Sequence, residues 1–180
     1  MANKEALREL QTRLAERLKT ARAEAPGVSW LAVECAGHGL LLPLHEAGEI
    51  FALTLIVPVA HAKPWFLGVA NLRGGLHGIV DLAAFLGIKS GERAPEAQRE
   101  RVQLVAFNAS LELNCALLVD RLAGLRSASQ MSIEPQAADA APSARPDFVG
   151  ARYRDAAGRV WQELRLAELA RHESFLRIVG

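Results

Sequence analysis

Residues 64–87 read PWFLGVANLRGGLHGIVDLAAFLG, and this stretch decides how the remainder is read. Leu67, Val69 and Ala70 form an apolar run that enters Asn71-Leu72-Arg73, and Gly74-Gly75 follow. Paired glycines take φ positive at the lowest steric cost, so the chain is expected to reverse there in a tight turn. Leu76, Ile79, Val80 and Leu82 rebuild an apolar surface on the far side. Asp81 is placed to cap a short helix over Leu82–Leu86, with Gly87 where such a helix would stop. Arg73 is the one formal charge between Lys63 and Asp81. In so apolar a setting a guanidinium must reach solvent, an internal carboxylate or a partner.

Upstream of this stretch, Lys4 to Ala25 has a helical period. Leu7, Leu10, Leu14 and Leu18 form a narrow stripe, charged residues cover the rest, and Pro26-Gly27 ends it. Such a seam suits either packing on its own domain or pairing with another helix. From Val28 the pattern becomes strand-like. Ser29–Cys35 reads as a first strand, Gly37-His38-Gly39 as a turn, and Leu40–Leu44 as the returning strand. Ile50 to Val59 is a further β-prone run, closed by Pro58 and Pro64.

Downstream, Lys89–Arg101 is polar and reads as a surface loop. Val102–Phe107 and Leu113–Val119 flank Asn108-Ala109-Ser110 as an antiparallel pair, and the glycosylation sequon there is read as accidental. Gln136–Pro146 is Ala/Pro/Ser-rich, poor in large apolar residues, and expected to be a flexible loop. Asp147–Arg154 and Gly158–Leu164 form a last hairpin around Asp155-Ala156-Ala157-Gly158, and Leu166–Phe175 follows with a helical pattern.

Composition limits the functions available. The 180 residues include 21 basic and 20 acidic side chains, a near balance that provides no electrostatic case for nucleic-acid binding. No apolar run approaches the roughly 20 residues of a spanning helix, and Met1–Leu10 is too charged for a secretory leader. A cytoplasmic protein is therefore expected. Cys35 and Cys115 both lie in apolar, strand-like contexts and are expected to be buried free thiols. His45-Glu46 begins like a zinc-protease motif but lacks the second histidine one helical turn on, and the five histidines are scattered, so no metal is expected. Gly74-Gly75-Leu76-His77-Gly78 has no following Lys-Ser/Thr, which removes a phosphate cradle and with it a nucleotide cofactor. His77 and Asp81, four residues apart in an extended segment, would sit about 13 Å from each other, too far for a direct acid–base pair. No catalytic constellation remains, and the chain is read as a non-enzyme.

Gly68-Val69-Ala70-Asn71-Leu72-Arg73-Gly74, then Gly78-Ile79-Val80-Asp81-Leu82, resembles the signature of the CheW-like chemotaxis coupling domains. The wording around it, Lys63-Pro64-Trp65-Phe66 before and Ala83-Ala84-Phe85-Leu86 after, is similar to the branch of that family serving type IV pili and twitching motility. One departure is Gly78, where many coupling domains carry proline. The resemblance covers about Ser29–Ile178 and implies a mainly β fold: two small five-stranded SH3-like barrels sharing a core, plus an N-terminal and a C-terminal helix. Residues 1–27 would be the amphipathic helix and 28–180 the coupling domain, its second barrel spanning roughly 50–125. Asp120–Pro135 would leave that barrel and cross to the other. The implied job is that of an adaptor between the cytoplasmic tip of a methyl-accepting chemoreceptor and the regulatory domain of a CheA-like histidine kinase, recruited to membrane receptor arrays. Gly68, Asn71, Leu72, Arg73, Gly74 and Asp81 would form the partner-binding set. The alternative is a scaffold domain that self-associates through Lys4–Ala25 and engages no receptor.

Overall fold

A computed structural model of the chain describes residues 27–88, 102–135 and 145–180. The helix expected over Lys4–Ala25 and the loop over Lys89–Arg101 lie outside these residues, as does Gln136–Pro146 but for its last two positions.

Strands dominate. The chain order is β1 (Ser29–Cys35), β2 (His38–Pro43), β3 (Ala47–Ala52), β4 (Phe66–Leu72), β5 (Gly75–Asp81), α1 (Leu82–Phe85), β6 (Gln103–Phe107), β7 (Cys115–Val119), β8 (Arg121–Ser127), β9 (Met131–Ile133), β10 (Val149–Asp155), β11 (Val160–Leu164), α2 (Leu166–Leu169) and α3 (Glu173–Leu176). They build two sheets, β8-β1-β2-β11-β10-β9 and β3-β6-β7-β5-β4. The first therefore has six strands where five were expected, because the segment leaving β7 supplies both β8 and the short β9. Each sheet contains one parallel pair, β2 with β11 and β5 with β7.

Side-chain alternation along the strands explains why so many of them read as unbroken apolar runs. Trp30 and Ala32 of β1, Leu41 of β2 and Trp161 of β11 meet inside the first sheet, with Ala123, Met131 and Tyr153 packed against them. Leu31, Val33, Cys35, Leu40, Leu42 and Leu164, on the opposite faces of those strands, enter a larger cluster. The second sheet behaves alike: Leu72, Ile79, Leu104 and Ala116 fill its own interior, while Val80, Val105, Phe107 and Leu117 face the larger cluster. Both sheets thus wrap a small core and share a third between them. A strand buried on both faces needs no polar alternation.

The local turn and cap chemistry follows from the residues. Asp81 is 7% exposed and its Oδ1 accepts from the Ala84 amide at 3.1 Å, capping α1. Gly87, at φ +68°, donates to the Ala84 carbonyl, and Ile88 donates to that of Ala83, which closes the helix. Removing the cap by Asp81→Ala is expected to cost about 1–2 kcal/mol, read as a lower urea midpoint with an unchanged slope, whereas Asp81→Asn retains most of it. The first hairpin turns one residue earlier than its glycines suggest, at Ala36 (φ +49°) and Gly37 (φ +79°), with His38 already in β2. The expected C-terminal helix is broken into α2 and α3 around Arg171-His172. Glu46 Oε2 accepts from the Leu166 and Ala167 amides at 2.6 and 3.1 Å and so caps α2.

Both cysteines are buried and neither is in a disulfide, and burial pushes the Cys115 thiol up to about 12. Glu34 on β1 pairs with Arg121 at 2.6 Å and with Arg159. Burial works to raise its pKa, but the hydrogen bonds and charges of the two arginines outweigh that, and the carboxyl lies below its ordinary 4.5. The folded state therefore binds this proton less readily than the unfolded one. The associated stability is present above the ordinary carboxyl range and is lost as pH falls through the depressed value. Glu34→Gln should accordingly have a shallower loss of stability than the wild type below about pH 4.5 in denaturant titrations.

Candidate functional site

The β4–β5 hairpin, which carries most of the signature residues, stands at the mouth of the second sheet. Leu72 pairs with Gly75, leaving a two-residue turn of Arg73 (φ +51°) and Gly74 (φ +84°). The chain was expected to reverse at the glycine pair. Instead Gly75 is already in β5 and an arginine holds the first left-handed position. Turns of this form favour Asn, Asp or Gly there, and a side chain such as arginine costs about 1 kcal/mol or more. The Asn71 Oδ1 accepts from the Gly74 amide at 2.8 Å and braces the turn.

Arg73 reaches back across the mouth. Its Nη1 donates to Glu49 Oε1 at 2.7 Å, linking the hairpin to β3, so the two edge strands of the sheet are clasped to each other. Both side chains remain wet, 75% and 54% exposed, and such a pair contributes about 0–1 kcal/mol. Arg73 is thus on the surface with a carboxylate in reach, not embedded in apolar surroundings. A concave surface of about 610 Å³ opens beside the pair, lined among others by Glu49, Phe51, Leu72, Arg73, His77 and Asn108. His77 Nδ1 lies 3.0 Å from the Gly75 carbonyl, and Asn108 Oδ1 accepts from the Ser110 amide.

The six residues drawn from the signature fall into two groups. Asn71, Arg73 and Gly74 are exposed at the tip, where a partner can touch them. Gly68, Leu72 and Asp81 are buried and build the hairpin and its helix. Gly68 has φ +134°, and a Cβ there would lie 2.1 Å from the Val57 carbonyl oxygen. Gly78, the departure from the family pattern, lies against the Phe66 ring, 3.0 Å from where its own Cβ would stand.

Two features escaped sequence reading. Glu49 is 24 residues from Arg73 and meets it only because β3 and β4 are the two edges of one sheet. The second is an apolar strip. Leu53, Leu55, Val57 and Val59 are all exposed, Leu55 at 81%, while Ile56 packs inward. Val57 exchanges two backbone hydrogen bonds with Val69, holding this segment along β4. Ile50 to Val59 reads as a β-prone run, but which of its residues meet solvent does not follow from that.

Comparison with known proteins agrees with this architecture. The model of the CheW-like domain matches residues 29–174. Protein PilI of Pseudomonas aeruginosa is 27% identical over 166 residues, which is 92% of this chain and 88% of that protein. Chemotaxis protein CheW of Rhizobium meliloti is 38% identical over 87 residues, 48% of this chain and 52% of that protein. Among solved structures, the scaffolding protein TtCheW from Thermoanaerobacter tengcongensis superposes with a TM-score of 0.60 over 77% of this chain and 88% of that one. At 14% identity, that likeness speaks for the fold.

Proposed function

The chain belongs to the CheW-like domain family, and from that premise we propose that it is a non-catalytic adaptor coupling a methyl-accepting chemoreceptor to a CheA-like histidine kinase. The similarity to PilI along 92% of the chain supports assignment to a chemosensory system that controls type IV pili and twitching motility. The adaptor would work in the cytoplasm, recruited to receptor arrays. Among the described residues no helix is long and apolar enough to cross a membrane.

One observation carries the reading: Arg73 is not explained by stability. Its backbone angle disfavours it, and its exposed pair with Glu49 returns no more than the turn costs. A residue held at a cost on the tip of a braced hairpin is there for what its side chain can meet. The mouth beside it would take the receptor's helical hairpin. The strip Leu53, Leu55, Val57 and Val59 offers a separate apolar face for the kinase's own barrel-containing regulatory domain. Coupling then consists of free energy shared between two contacts on one rigid body, with no bond made or broken.

Capture from native cell extract on the tagged full chain, with bound proteins identified by mass spectrometry, tests the proposal. Recovery of a histidine kinase together with a chemoreceptor supports it. Recovery of neither by a folded bait removes it.

A further inference from the structure

The first sheet ends on β8, whose outer side pairs with no other strand among the described residues. Edges of this kind are protected by charge, by bulges or by a covering segment. At its Arg121 end β8 carries a charge, paired with Glu34. At its other end it presents Leu125, which is 60% exposed. Leu125 stands beside Leu31 in register, and Leu31 beside Leu42, both buried in the core that the two sheets share. Leu125 is therefore on the core-facing side of the sheet, at the margin where that core runs out.

The next row along the strands has the same character. Ser29 pairs with Ser127, and its carbonyl accepts from the Leu44 amide at 2.9 Å. Leu44, two residues on from Leu42, falls on the same face by alternation and is 41% exposed. Leu44 and Leu125 thus stand diagonally about the small Ser29 and Ser127, roughly 12 Å apart by strand spacing and rise. Together they form a shallow apolar trough. Two leucines separated by two turns of a helix, about 10–11 Å, span it.

A segment of that description is attached at this spot. Pro26-Gly27 joins β1 to Lys4–Ala25, which lies outside the described residues and whose period predicts a helix. Its leucines Leu7, Leu10, Leu14 and Leu18 form one narrow seam, and Leu7 and Leu14 are two turns apart. An amphipathic helix is stabilised by packing its apolar stripe, and the trough is at the root of this one. The tether presents the seam at an effective concentration on the order of millimolar, which favours the attached copy over the seam of a second chain.

We propose that Lys4–Ala25 folds back on its own domain and lays its leucine seam across Leu44 and Leu125, covering the β8 edge. The contact extends the shared core past the first sheet and withdraws these two leucines from any outside partner. It does not depend on the adaptor reading and uses no residue of the β4–β5 hairpin or of the strip Leu53–Val59.

Limited trypsin digestion of the full chain tests this, with cleavage after Arg13 and Arg17, on either side of Leu14, followed by mass spectrometry. A docked segment is cut in proportion to the time it spends released. Leu125→Asp is expected to speed these cuts by about tenfold, the worth of burying one leucine, and Leu44→Asp should act in the same direction. Ile133→Asp, on the opposite edge of the sheet and 70% exposed, should leave the rate unchanged. Leu14→Gln keeps helix propensity and leaves the strands intact, and it should match Leu125→Asp even where a strand variant folds poorly. The wild-type rate should not change on dilution. Equal rates in wild type, Leu125→Asp and Leu14→Gln overturn the proposal. So does a wild-type rate that rises on dilution, which would place the seam on a second copy.

Discussion

Arg73→Glu is expected to lose capture of the chemoreceptor while its unfolding free energy stays within about 1 kcal/mol of the wild type. The small stability change follows from exposure. The pair with Glu49 is solvated on both sides, contributes about 0–1 kcal/mol, and its reversal to two neighbouring carboxylates costs a similar amount. The turn itself is braced by Asn71 and Gly74, neither of which depends on the guanidinium. The large effect follows from what a partner does to the same charge. Docking removes water from the tip, and a charge of the wrong sign left at a desolvated contact costs 2–5 kcal/mol or more, a loss of at least about 30-fold in affinity. Glu49→Arg combined with Arg73→Glu sharpens the test. The swap restores the clasp across the sheet edges with its polarity reversed, and capture should remain lost. Capture by the double variant at the wild-type level would make the clasp, and not the arginine, the functional element. A drop in stability by several kcal/mol in the single variant would make Arg73 a structural residue.

Gly68→Ala is expected to destabilise the fold by about 3 kcal/mol or more, the largest stability effect of any single methyl added to the hairpin. The new Cβ would stand 2.1 Å from the Val57 oxygen, 2.7 Å from its carbon and 2.9 Å from Pro58 Cα, all backbone atoms that no rotamer change can move aside. At φ +134° the alanine backbone is itself strained. Relief requires the 53–59 segment to leave β4, which breaks the two hydrogen bonds between Val57 and Val69 at 2.8 and 2.9 Å. Thermal unfolding measures the loss directly, and a melting temperature within about 2 °C of the wild type would refute the close approach. Because the same change displaces the apolar strip, Gly68→Ala should lose partner capture together with stability. Arg73→Glu should lose capture without it. The two variants thereby separate what builds the site from what touches a partner.

Much of the fold was legible because its determinants are local. The helix cap at Asp81, its stop at Gly87, the span Ser29–Cys35 and the last hairpin around Asp155 each depend on residues within a few positions of one another. Asp155 illustrates this: one carboxylate accepts from the Ala157 and Arg159 amides and from Trp161 Nε1, all within six residues. The six proposed contact residues were less legible. Their order marks the signature, but order does not separate Arg73, which faces solvent, from Leu72 beside it, which is 4% exposed. Alternation decides that, and it requires knowing where the pleat begins.

By itself the sequence determined a mainly β chain, a tight turn close to Gly74 and a short capped helix after β5, since hydrophobic runs, φ preferences and caps act over a few residues. Only the tertiary structure decided which face of each run enters a sheet's own interior and which enters the shared core. It alone brought Glu49 to Arg73 across 24 residues and laid the strip Leu53–Val59 open to water. These are contacts between segments far apart in the chain. Their selection depends on how two sheets close and pack, a free energy summed over the whole fold and carried by no single stretch.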